Sequence, residues 1–202
     1  MSPAPADTAA LDDLRFIRTV MDRTHRRIDP HAFHFVHWGA IVLVWFPLGA
    51  WFQQQGRPER LLPLGAVALG LGFLLSLLRE LALRRQPRLD GENTFVGQQV
   101  AWITAACIGA GSVLSAVAPA FGFVAGENVP IVWGLVYANL ALMIGIVYER
   151  DFLVSGVVIF AGTVVAICLQ PWAGYVLGPV MGLGMILPGL RAERRVRALR
   201  DG

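Results

Sequence analysis

The chain contains no lysine, so arginine supplies all 17 of its basic residues. A Schiff base to retinal or pyridoxal phosphate needs a lysine amine, which excludes that chemistry and with it a small rhodopsin. Charge of either sign is scarce, at 15% of residues against about 25% in soluble domains, and long stretches carry none. The 2 cysteines, Cys107 and Cys168, both fall inside apolar runs, where neither a secreted disulfide framework nor a zinc knuckle is built; they read as small packing residues. Buried carboxylates, arginines and nucleophile–base pairs are missing from the apolar runs as well. Proton relays, ion-coupled carriers and intramembrane hydrolases depend on such groups. No enzyme is expected.

What remains is apolar. Hydrophobic residues make up 55% of the 202-residue chain and mean hydropathy is +0.57, and six runs, near 33–52, 61–78, 98–120, 129–148, 152–169 and 172–190, are each about long enough to cross some 30 Å of hydrocarbon. None shows the alternation of a barrel strand, and lipid offers no partner for open backbone groups. The fold class is therefore all-α: a polytopic integral membrane bundle of six transmembrane helices. It divides into an amphipathic leader at 1–30, a membrane domain at 31–190 and a basic tail at 191–202.

Arginine placement orients the bundle. With the N-terminus inside, fifteen arginines fall in cytoplasmic segments and only Arg57 and Arg60 outside, which by the positive-inside rule puts both termini in the cytoplasm. The arginine-only, alanine-rich composition suggests a GC-rich bacterial genome, hence a bacterial inner membrane. The first span is expected to act as signal anchor, since some thirty mostly polar residues precede it.

The leader, TAALDDLRFIRTVMDRTHRRI, places Ala10, Leu14, Ile17, Met21, Thr24 and Ile28 on one helical face. Thr8 can cap its start, Asp12 and Asp13 sit in its first turn, and Arg23, Arg26 and Arg27 in its last, so the charges oppose the macrodipole. Such a cytoplasmic amphipathic helix can lie on anionic lipid, or its heptad-like stripe can dock a cytoplasmic partner or a second copy. At LDDLRFIRTVMDR, followed by a first span containing Trp38-Gly39, the chain resembles small multi-spanning bacterial membrane proteins with an amphipathic N-terminal leader. The resemblance covers about the first fifty residues and implies no activity. In layout, an amphipathic helix, six spans and a longest cytoplasmic loop at 79–97, the chain is also similar to the permease half of some ATP-driven exporters, which implies a partner at that loop.

Within the membrane the clearest packing signal is GYVLGPVMG, where Gly174, Gly178 and Gly182 repeat every four residues and make a flat groove for a close neighbour. Ala105 and Gly109 form a similar strip in the third span. Spans three and six are expected either to pack together or to contribute a homo-oligomer contact, and Pro47 and Pro179 to kink spans one and six. Trp38-Gly39 and Trp133-Gly134 open the first and fourth spans, an echo that reads as chance recurrence in a glycine-rich chain. Polar residues at depth are few: Gln98, Gln99 and Thr104 in span three, Asn139 in span four and Thr163 in span five. Asn139 is the best candidate for an intramembrane polar site, although an asparagine at that depth more often bridges two helices.

HAFHFVHW, at 31–38, holds three of the 4 histidines. His31, His34 and His37 span one broad helical face from the headgroup layer inward, and the first reading is interfacial histidines with no ligand, so no cofactor is expected. The alternatives are a metal, which would need further ligands from a second copy or Asp29, and a haem between His37 and Met143 or Met185. The function expected is that of a non-catalytic accessory, scaffold or regulatory subunit that binds lipid and a membrane or cytoplasmic partner. The expected assembly is a homo-oligomer or a subunit of a larger membrane complex, with no nucleic-acid partner. A small transporter or channel component is the alternative, and a haem- or metal-binding electron-transfer subunit the third reading.

Overall fold

Each apolar run forms one helix. The computed structural model describes residues 32–84, 95–123 and 125–201, in which the chain order is α1 (Ala32–Gln54), α2 (Leu61–Arg84), α3 (Phe95–Ala120), α4 (Val129–Val147), α5 (Arg150–Cys168) and α6 (Ala173–Asp201). All six are long and apolar enough to cross a membrane, so the protein is a multi-pass membrane helix bundle. The leader, with Leu14, Ile17, Met21, Arg23, Arg26 and Arg27, lies outside the described residues, as do His31 and 85–94 of the loop between α2 and α3. The basic segment expected as a separate tail after residue 190 continues α6 as unbroken helix to Asp201.

Two turns show why the chain reverses where it does. Gly56, at φ 67°, ends α1, with its amide donating to the Gln53 carbonyl and the Arg57 amide to the Phe52 carbonyl, each at 3.0 Å. Gly122, at φ 73°, ends α3 with the same pair of bonds, from its own amide to Pro119 and from Phe123 to Ala118. Both are Schellman closures, which need a residue that tolerates the left-handed region.

The bundle is an antiparallel hairpin of α4 and α5 laid against an antiparallel pair of α1 and α6, with α6 also touching α4. Leu177 and Met181 of α6, Leu140 and Ile144 of α4 and Phe152 and Ile159 of α5 are fully buried, and Met185, Val42 and Phe46 close the same core. Lipid is as apolar as these side chains, so what selects the neighbours is how closely backbones can approach. Glycine decides this on every core contact: Gly156 receives Leu142, Gly162 receives Val180 and Gly184 receives Ile159.

The glycine edge of α6 is covered by α1. A Cβ on Gly174 would meet the Phe46 carbonyl oxygen at 2.8 Å, one on Gly178 the Pro47 ring at 2.5 Å, and one on Gly182 the Leu43 Cβ at 2.7 Å. The expected pairing of spans three and six is not formed. Helix α3 packs on α4 instead, through Gly111, whose Cβ position lies 3.1 Å from Val136 and 3.3 Å from Trp133. Gly109 lies two residues, about 200° of helix, from that contact. It is exposed, with nothing within 4 Å of its Cβ position, and Ala105 is exposed beside it. Helices α1 and α6 continue through Pro47 and Pro179.

Candidate polar site between helices α1 and α2

Helix α1 bears apolar side chains on every face, so small residues on its neighbours assign its faces. One face turns to α6; the other presents His34, His37, Trp38 and Trp45 to a strip of small residues on α2. Gly65 accepts Trp45, with its Cβ position 3.3 Å from that ring, Ala68 is buried, and Gly72 sits directly beneath Trp38. Ser76 continues the strip one turn on, where it meets the two histidines. A spacing of three or four residues puts all four on one side of α2. Sequence reasoning missed this strip, although Gly65, Ala68, Gly72 and Ser76 carry the same small-residue periodicity that marks α6.

The polar site lies at the end of this pair that also bears Arg79. His37 is buried, its Nε2 3.0 Å from Ser76 Oγ and its Nδ1 3.0 Å from the Phe33 carbonyl oxygen. His34 Nδ1 approaches the same Ser76 oxygen at 3.3 Å. A carbonyl only accepts, so His37 Nδ1 carries a hydrogen. In the neutral ring Nε2 then accepts from the Ser76 hydroxyl, which leaves the serine oxygen to accept from His34 Nδ1–H. The three side chains form one directed hydrogen-bond chain joining α1 to α2. Phe33 stacks on His37 at 4.9 Å, and the Arg79 guanidinium lies over the Phe33 ring, 5.4 Å from its centroid. Arg79 Nε is buried with no hydrogen-bond acceptor among the described residues.

The expected ligand partners of His37 are not assembled around it. Met185 is buried in the core on α6 and Met143 is exposed on α4, whereas His37 is turned toward α2, about 200° of helix from Gly39 on the α6 side. No group of three or more metal-ligating side chains occurs among the described residues.

The other polar residues at depth are scattered. Thr163 is buried and donates back to the Ile159 carbonyl at 2.8 Å, so its hydroxyl is satisfied within α5. Gln99 and Thr104 are half-buried on α3, and the Gln98 side chain is outside the described residues. Asn139 is exposed on α4, and no hydrogen bond links it to Gln99 or Thr104. Cys107 is half-buried and Cys168 exposed.

Two further features flank the site. At the same end of the bundle Arg195 binds Glu149 and approaches Asp151 at 3.4 Å, and Arg191 reaches Asp151 at 3.6 Å, clamping the turn between α4 and α5 to the end of α6. At the opposite end a cavity of about 230 Å³ opens between α1, the start of α2 and α4, lined by Trp45, Gln53, Leu61, Pro130 and Trp133 among others.

Comparison with protein-family models, curated proteins and solved structures finds no match to this chain.

Proposed function

We propose that this protein is a non-catalytic accessory or scaffold subunit of a bacterial inner membrane, with both termini in the cytoplasm. The observation that carries the reading is the attachment of α2 and α3. Among the described residues each packs chiefly on one neighbouring helix, and only 11% of the spanning window of α2 and 12% of that of α3 is buried, against 50% for α6. Two whole helices thus add little to the internal packing and offer most of their surface to whatever surrounds them. Helices kept in this way suit contact with another membrane protein.

The arginine-rich end supports the lipid half of the reading. Arg79 has a shielded Nε and no carboxylate partner among the described residues, which suits the phosphate of an anionic headgroup, while the leader and the 79–97 loop supply further arginines for lipid or a cytoplasmic partner.

The test places a photo-crosslinking residue at Phe73 of α2 and Trp102 of α3, exposed at 63% and 76%, in cells that make the protein from its own promoter. One discrete protein adduct at either site is expected. Adducts with lipid alone at both sites would remove the reading. The second reading, a small transporter or channel component, draws on the cavity between Trp45 and Trp133. Solute-dependent quenching of their fluorescence, lost when Trp133 is changed to Phe, would put that reading first.

A further inference from the structure

The outward face of α4 carries a polar group where a membrane provides nothing to satisfy it. Leu135, Asn139, Met143 and Ile146 follow one another at helical spacing and all are exposed, Ile146 at 75%. Neighbouring α3 packs on the Trp133 and Val136 side of α4, and α5 on the side of Leu142 and Gly145, so the Asn139 stripe lies between them and faces out. Asn139 is eight residues from the end of α4 at Val147, about 12 Å along the axis, and ten residues, about 15 Å, from the other end. Its amide is therefore deep in the hydrocarbon, with two N–H donors and a carbonyl that no group of the chain's described residues engages. An amide left unpaired in hydrocarbon is costly, and asparagine in such positions hydrogen-bonds across helices.

We infer that the α4 stripe is an interface with a second copy of this chain, centred on a hydrogen bond between the two Asn139 side chains. Two arguments select a copy over another protein. A carboxamide is its own complement, each donating an N–H to the other's carbonyl oxygen, so the pair needs no further polar residue on this face, and the stripe holds none. Copies inserted with the same orientation are related by a twofold axis along the membrane normal, and such an axis brings a residue of one helix to its own counterpart at the same depth. A single polar residue at mid-helix, with apolar side chains above and below, meets that condition. The inference holds whichever partner covers α2 and α3.

The experiment uses the full chain in lipid nanodiscs and native membranes. Wild type is expected as a dimer by mass photometry. Asn139→Leu should weaken association at least tenfold while leaving thermal stability of the monomer unchanged, since the side chain is exposed, and Asn139→Gln should retain the dimer. In a background with Cys107→Ala and Cys168→Ala that keeps Asn139, Met143→Cys, one turn along the stripe and 47% exposed, should form a disulfide-linked dimer on oxidation in membranes, whereas Val154→Cys, 66% exposed on α5, should not. A monomeric wild type, an Asn139→Leu variant that dimerises equally well, or cross-linking at 154 equal to that at 143 would each overturn the inference. Photo-crosslinks from α2 and α3 to another protein test the accessory reading separately, because neither helix contributes to this stripe.

Discussion

Gly39 and Gly182 stand backbone to backbone between α1 and α6. A Cβ on either would lie 2.8 Å from the other's carbonyl oxygen. The relationship is reciprocal, so no side chain can be added on one helix and accommodated by trimming the other. Gly174 and Gly178 on one side, and Gly189 against Val36 and the Ala32 carbonyl on the other, extend the approach along the whole helix pair.

Gly182→Leu should therefore force α1 off α6. Overpacking a close contact costs about 1–3 kcal/mol, more where the obstacle is backbone, and the unfolding temperature in mild detergent should fall by several degrees or the protein should aggregate. Gly178→Leu, against Pro47, should behave likewise. Gly109→Leu, whose Cβ position is open, should melt within a degree or two of wild type; equal losses for Gly109 and Gly182 would refute the packing.

The His37–Ser76 bond makes a second prediction. Ser76→Ala leaves His37 Nε2 buried without a partner and should cost about 1–3 kcal/mol. His37→Leu with Ser76→Ala should cost less than the sum of the two single changes, because the pair is then removed together. Additive losses in a denaturation cycle would mean that the two side chains do not interact.

Spectroscopy addresses the histidines directly. With His37 bonded to Ser76 and to the Phe33 carbonyl, and turned away from the α6 side that holds Met185, the purified protein is expected to show no Soret band and less than stoichiometric metal. A Soret band that disappears in His37→Ala would bring the electron-transfer reading forward.

For topology, six spans with both ends on the cytoplasmic side are expected from the arginine bias. Reporter fusions at residues 53–60 and 123–128 should be active only outside the cytoplasm, and cytoplasmic activity at either would reverse the orientation or change the span count.

The arginine clamp on the α4–α5 turn should matter little. Arg195 is 62% exposed at its side chain, and exposed pairs of this kind contribute about 0–1 kcal/mol. Arg195→Ala should shift the unfolding temperature by no more than a few degrees, with the shift shrinking as salt is added; a loss of fold would show that the end of α6 depends on this contact.

The sequence by itself determined that the chain is helical and membrane-spanning, and nearly where most helices start and stop, although α2 runs on to Arg84 and α6 to Asp201, past the ends expected at 78 and 190. Those properties follow from local quantities: the length of an apolar run, a glycine that can take positive φ at the end of α1 or α3, a proline near the start of α4. The glycine groove of α6 was legible for the same reason, as a period of four. Which helix fills that groove was not. Helices α1 and α3 both bear apolar side chains on every side and both carry small residues, so hydrophobicity cannot choose between them in lipid; the choice falls to the match of Gly39, Leu43 and Pro47 against Gly182 and Gly178, which exists only in three dimensions. The same holds for the site. HAFHFVHW is visible as a cluster, but its partner Ser76 is 39 residues away from His37, on a helix brought alongside by tryptophans that fit over Gly65 and Gly72. Asn139 reads in the sequence as a candidate bridge between helices of the bundle, and only the tertiary arrangement turns it outward, because α3 seats Gly111 on the neighbouring side of α4 and leaves the amide facing the membrane.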